Sequence, residues 1–460
     1  MSILIAYFVL IIGIGLWSKK RADSRDGFFV AHRSGTTFLI TGSLLATIIG
    51  GSATVGLAGL GFERGLTGAW WLLVGSLGLL ILGALAGRIR GFSLYTLPEL
   101  VERQYDRRAG LATSILIIVA WTGVVAGQIV AAGRVLSVLA SGSAVFWMLM
   151  FTVILVVYAA LGGQYSVVRT DAIQAVVLVV GILLALGFLL PLVGGLGGLK
   201  ASLPPEYFSF PLSSGFGWKA LLSLLLLVGA TYVVGPDMYT RLFCAREGNT
   251  AQRSVLVTSL LVLLFAFIIA LIGMSARVLT PDIPAEQAFP QMIREALPSG
   301  VGVLVLVALV AALMSSADTC LLSQSVILTE DVIKRFRPID ERRILLLARL
   351  SIVVLGLVAA GLAITLKGVI SALLFAYTIF TCGLVAPVVA GFYKDRLGVT
   401  RHGALAALIG GGGLGLLGKF PGLDIPLKED LGLVGFAVSV FLLFGVSLLA
   451  RKLKRQDSVL

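Results

Sequence analysis

Apolar runs of about 18 residues or more recur along this chain from end to end, separated only by charged or turn-forming residues. A run of that length can cross a hydrocarbon layer as a helix, which satisfies its own backbone where no water is available. About thirteen can be counted, at roughly 1–18, 37–61, 68–87, 111–139, 143–162, 166–194, 219–237, 252–276, 300–333, 345–365, 369–392, 402–418 and 431–450. No gap between them could house a soluble domain. The chain is 58% hydrophobic and 13% charged, with a mean hydropathy of +1.03, outside the range of water-soluble globular proteins. The expectation is an all-α polytopic protein embedded in a lipid bilayer.

The net charge of +13 would suggest a nucleic acid or an acidic partner in a soluble protein. Its placement gives a different answer. Lys19, Lys20 and Arg21, then Arg88 and Arg90, Arg103, Arg107 and Arg108, Arg169, Arg241 and Arg246, Lys334 and Arg335, and Arg451 and Lys452 fall in alternate loops. By the positive-inside rule these loops are cytoplasmic, which puts the N-terminus outside and the C-terminus inside a cell (inner or plasma) membrane. No nucleic-acid partner is expected. Residues 1–18 are read as a retained helix: no basic segment precedes them, and Lys19-Lys20-Arg21 stands where a signal peptide would have its cleavage site. Cys244, Cys320 and Cys382 lack metal-type spacing, and the two histidines, His32 and His402, lie near helix ends. No catalytic motif is found, and an enzyme is not expected.

The most informative stretch is Ala311-Ala312-Leu313-Met314-Ser315-Ser316-Ala317-Asp318-Thr319, inside the ninth run. On a helix, positions 312, 315, 316 and 319 share one face, so the Ala312 carbonyl and the hydroxyls of Ser315, Ser316 and Thr319 can converge. Hard cations such as sodium take oxygen ligands, and neutral oxygens release them again. Hydroxyls in membrane helices commonly bond their own backbone or a neighbouring helix. Asp318 weighs against that reading, because a carboxylate near mid-membrane costs roughly 2.5–3.5 kcal/mol and normally faces a partner, a cavity or an ion path.

Two other runs are interrupted. Ala46-Thr47-Ile48-Ile49-Gly50-Gly51-Ser52 places a glycine pair in the middle of a crossing helix, and Tyr232-Val233-Val234-Gly235-Pro236-Asp237 breaks the seventh run. Unwound backbone at membrane depth is tolerated only where protein or a cavity covers it. Five spans separate the breaks. Because five is odd, a repeat of that length returns with opposite orientation, the inverted-repeat plan of many secondary transporters. Thr170-Asp171-Ala172-Ile173-Gln174 opens the sixth run. Asp171 alone reads as a helix-dipole partner, but opposite Ser315, Asp318 and Thr319 it becomes a candidate for the inner end of a cation path.

These features resemble the sodium:solute symporter family, in order and spacing across nearly the whole chain: the Asp26–Ser34 segment, the break near Gly50, Thr96-Leu97-Pro98-Glu99, Gly162-Gly163 through Gln174, Gly235-Pro236 through Arg241, and Met314-Ser315-Ser316-Ala317-Asp318. The resemblance implies a LeuT-type five-plus-five inverted repeat with one helix before it and two after. Residues 1–36 would form the extra helix and its loop, 37–195 the first repeat, 196–395 the second, and 396–460 two further helices and a short tail. It implies sodium as the coupling ion, held by the carbonyls of Ala46 and Ile49, the Ala312 carbonyl and the hydroxyls of Ser315 and Ser316. A second cation, or a proton, would be held by Asp171, Asp318 and Thr319, with a carboxylate at 318 where relatives carry a hydroxyl.

The cargo implied is a small organic solute. Ile48 and Gly50 stand where relatives often have polar side chains, so the solute's anchors must come from elsewhere. Candidate cavity residues are Thr47, Ser52, Trp121, Gln128, Tyr232, Tyr377 and Thr378, residue types that in membrane helices more often pack than contact a solute. The resulting expectation is sodium-coupled uptake by alternating access. Proton coupling in the same fold is the nearest alternative, and a non-transporting membrane sensor a more distant one.

Overall fold

The computed structural model describes residues 2–139, 141–336, 339–366, 368–418 and 431–457. The segment 419–430, between the last two expected spans, and residues 1, 140, 337, 338, 367 and 458–460 lie outside it.

Among the described residues, nine helices are long and apolar enough to cross a membrane by length and composition. Two of these helical tracts each hold more than one pass. Ser52–Gly91 turns at Gly65 (φ +66°), so its first part completes the second span and the rest is the third. Ala144–Leu192 turns at Gly163 (φ +54°) and forms the fifth and sixth spans. With Ser2–Ala22 and Arg401–Leu417 added, thirteen spans result among the described residues. The outer surface carries large apolar side chains such as Phe441 (75% exposed), Leu260 (68%) and Phe38 (66%). Apolar surface on that scale is stable only against lipid.

Gly163 shows why the sequence turns where it does. Its left-handed backbone favours glycine, and a Cβ there would stand 2.7 Å from the ring of Phe28. Phe28 and Phe29 belong to the short helix Arg25–Val30, capped by Ser24, which is thereby pinned against the turn. The expected helix after the third span is Leu97–Gln104. The Thr96 hydroxyl accepts from the Glu99 N–H (3.2 Å), and the Glu99 carboxylate accepts from the Tyr95 N–H (3.0 Å).

The second and seventh spans are both broken, each opening its set of five. The second runs as Thr37–Ile48, leaves helical geometry at Ile49 (φ −85°, ψ 54°), and resumes through a widened turn at Ser52–Gly56 into Leu57–Arg64. The seventh breaks at Gly235 (φ −61°, ψ 130°), and Pro236–Cys244 completes it. Pro236 has no N–H to donate to the preceding turn, which is why the break falls there. The ninth span, Ser299–Ile327, packs against the second, fourth, fifth and sixth spans, and every residue from Ala308 to Ile327 is buried.

Candidate functional site

In an uninterrupted helix the carbonyls of Ala46 and Thr47 would accept from the N–H groups of Gly50 and Gly51. The break at Ile49 frees them. The Gly51 N–H donates to the Gln128 side-chain carbonyl on the fourth span instead (2.7 Å). The Ser315 hydroxyl lies 2.9 Å from the Ala46 carbonyl and 3.0 Å from the Ala312 carbonyl. The Ser316 hydroxyl lies 2.6 Å from the Thr47 carbonyl and 3.1 Å from that of Ala312. Five oxygens from two spans therefore gather at one buried, uncharged point. Close approach depends on the glycines: a Cβ at Gly50 would overlap the Ser316 hydroxyl, and one at Gly51 would stand 2.7 Å from both Ala131 and Leu313. Ile49 is the first residue out of the helix, and the carbonyl that meets the Ser316 hydroxyl is that of Thr47 rather than the expected Ile49.

One layer away, Asp171 and Asp318 are both fully buried. Asp171 Oδ2 accepts from the Ser43 hydroxyl (2.5 Å) and from Arg241 (2.8 Å). Arg241 also donates to Gln164 Oε1 (3.0 Å), to the Thr47 hydroxyl (3.4 Å) and to the Thr319 hydroxyl. Its loop position in the sequence suggested a cytoplasmic charge, yet its side chain is 0% exposed. One guanidinium thus faces two carboxylates. Asp318 Oδ1 accepts from Thr319 (3.3 Å), while Asp318 Oδ2 and Asp171 Oδ1 have no hydrogen-bond partner. The side-chain oxygen of Gln174 is also unpartnered, while its amide donates to the Tyr7 hydroxyl on the first span (2.6 Å). Buried polar atoms normally find partners. Here several oxygens around one excess negative charge have none, a composition that fits a monovalent cation or a proton.

On the other side of the serines lies a cavity between the two broken spans. It is lined by Thr47, Ile48, Ser52, Trp121, Val124, Gln128, Thr231, Tyr232, Asp237, Met238, Ser316, Cys320 and Tyr377. Six of the seven cavity residues expected from sequence lie on this wall. The seventh, Thr378, donates its hydroxyl to the Leu374 carbonyl (2.6 Å) and is not part of the lining. Sequence reasoning missed Arg241, Asp237 and Ser43. A signal for Arg241 was present: Leu242-Phe243-Cys244-Ala245 separates it from the next charge, an apolar stretch that a solvated loop arginine rarely has.

An all-helical bundle with two discontinuous spans meeting at mid-depth defines a LeuT-type secondary transporter. The sodium:solute symporter family model matches residues 28–411. The chain belongs to the sodium:solute symporter family, and sodium is the coupling ion. It is 27% identical to the rat sodium/glucose cotransporter 2, over 91% of this chain and 71% of that protein. It is also 27% identical to the sodium/glucose cotransporter of Vibrio parahaemolyticus, over 92% and 86%. The human sodium/myo-inositol cotransporter 2 is 26% identical, and there the match covers 78% of this chain but only 60% of that protein. Among solved structures, a sodium-coupled sialic acid symporter in a substrate-bound outward-open state superposes with a TM-score of 0.81 at 18% identity, covering 97% of both chains. The nucleobase-cation-symport-1 transporter Mhp1 superposes at 0.59 with 15% identity, covering 91% and 93%. These likenesses carry the fold.

Proposed function

We propose that this carrier takes up a small organic solute by alternating access, with one sodium ion held by the carbonyls of Ala46, Ile49 and Ala312 and the hydroxyls of Ser315 and Ser316. The observation that carries this reading is the pair of freed carbonyls, Ala46 and Thr47, meeting two serine hydroxyls from the ninth span. Without an ion, the hydroxyl protons bridge that gap. With sodium bound, those protons turn away and the lone pairs of the same oxygens face the cation. Sodium then ties the broken second span to the ninth and shapes the cavity whose wall includes Thr47 and Ser316. Sodium and solute tighten each other by the same factor, which is the coupling. Asp318, with Asp171 already paired to Arg241, is the group that takes a second cation or a proton. The basic loops give an orientation with the N-terminus outside and the C-terminus in the cytoplasm.

The test is thermal unfolding of the detergent-purified protein in sodium against potassium at equal ionic strength. A ligand of the folded state raises apparent stability by mass action. The expected result is a sodium-specific rise that Ser316→Ala removes. A rise that persists in Ser315→Ala and Ser316→Ala alike would place the ion elsewhere. If sodium has no effect and acid pH does, with the acid effect removed by Asp318→Asn, the carrier is proton-coupled.

A further inference from the structure

Asp237 is the one ionisable acid on the cavity wall, and the cavity lining includes no Lys, Arg or His. Its carboxylate opens the helix Pro236–Cys244, whose first N–H groups meet part of its need for donors. Arg241, one turn further on, is spent on Asp171, Gln164 and Thr319. Among the described residues no cationic side chain pairs with Asp237. An acid so placed and left accessible to a cavity is a recognition group for whatever enters.

The rest of the wall narrows what that is. Trp121, Tyr232 and Tyr377 present aromatic surface, with Met238, Cys320, Ile48 and Val124 between them. Most of the hydroxyl and amide groups are already engaged: Thr231 with the Val228 carbonyl (2.6 Å), Gln128 with the Gly51 N–H, Thr47 with Arg241 and Thr319, and Ser316 with backbone carbonyls. A hexose or a cyclitol would bury five or six hydroxyls against too few free partners, at a cost for each one left unmet. A carboxylate with no cationic partner disfavours an anionic solute. Aromatic faces around a carboxylate suit a positively charged nitrogen, through cation–π attraction and ion pairing. The indole N–H of Trp121, buried on the same wall, faces the Asp237 carboxylate and helps to hold its charge there.

We propose that the transported solute is a small organic cation, an ammonium or quaternary ammonium compound, whose charged nitrogen is held by Asp237 between the rings of Trp121, Tyr232 and Tyr377. This rests on the sodium-symport reading above and names the solute class for that site.

Choline and 3,3-dimethylbutan-1-ol have the same shape and differ in charge, so the pair isolates the charge on the unaltered protein. Thermal unfolding of the purified full chain in saturating sodium is measured with each, with methylammonium, and with D-glucose and myo-inositol. The expected result is a rise in melting temperature with choline or methylammonium and none with the neutral isostere or the two polyols. Asp237→Asn should weaken binding of the cation by about tenfold or more, while the rise caused by sodium alone persists and shows that the variant is folded. Equal shifts from choline and its neutral isostere, shifts from the polyols alone, or no shift from either cation would overturn the proposal. So would unchanged choline binding in Asp237→Asn. A missing sodium rise in the unaltered protein marks failure of the sodium reading instead, and that result is read before any solute is added.

Discussion

At the scale of single residues, the least replaceable side chain is Arg241. Its burial is tolerable because Asp171 pairs with it and Gln164, Thr47 and Thr319 accept from its two terminal nitrogens. Removing one partner of a buried pair leaves an uncompensated charge, which typically costs about 3–5 kcal/mol. Arg241→Gln should therefore lower the melting temperature strongly. Asp171→Asn in the same chain should recover part of that loss, since it removes the stranded charge; measuring both in one denaturation series, with no recovery in the double variant, would show that the pair does not govern this layer. Asp318→Asn removes the carboxylate whose Oδ2 has no partner. It should keep the folded yield or raise it, because a buried unpaired acid is costly, while changing the charge moved per solute in a proteoliposome current measurement. An unchanged charge-to-solute ratio would exclude Asp318 from coupling.

At the scale of elements, the broken second span is held open by what its glycines permit. A methyl group at Gly50 would displace Ser316, and at Gly51 would press on Ala131 and Leu313. Gly50→Ala should abolish the sodium-induced rise in melting temperature with a smaller effect on stability in potassium, because the clash falls on the ion-binding hydroxyl. A Gly50→Ala protein that still responds fully to sodium would mean that the Ser316 hydroxyl is dispensable. The turn at Gly163 is of another kind: its positive φ and its contact with Phe28 make Gly163→Ala a defect of assembly between the fifth and sixth spans. That variant should lose folded protein in sodium and potassium alike.

At the scale of the molecule, one end of the bundle is latched. Arg25 makes a two-pronged ion pair with Glu330 (2.8 and 2.6 Å) and lies over the ring of Tyr95 (4.4 Å), whose hydroxyl donates to Asp26 (2.5 Å). Lys334 also reaches Glu330 (3.0 Å), and Arg335 pairs with Glu102. The latch joins the segment before the second span, the helix after the third and the end of the ninth, all on the side of the basic loops. Bidentate pairs of this geometry are among the stronger polar contacts. Glu330→Gln should weaken closure at that end. In a chain with Cys244 and Cys382 replaced, maleimide labelling of the cavity residue Cys320 from the basic-loop side should then rise; labelling equal to the unaltered latch would show that closure depends on packing alone.

Much of this was determined by the sequence by itself. Thirteen spans, two breaks five spans apart and the hydroxyl run on the ninth span were legible because each is a local property: run length, glycine and proline placement, and helical periodicity. The convergence of Ala312, Ser315 and Ser316 followed from helical spacing, whereas the part played by Ala46 was implied only by the family resemblance. Tertiary structure alone decided three things. It turned Arg241 inward onto Asp171 in place of a loop position, it buried Asp318 without an ion pair of its own, and it brought Asp237 into the cavity wall and left Thr378 out of it. Each depends on which groups from distant spans meet in a low-dielectric interior. Charge pairing and cavity lining are properties of contacts between elements, and no local pattern in one element specifies the side chain that a far segment will present to it.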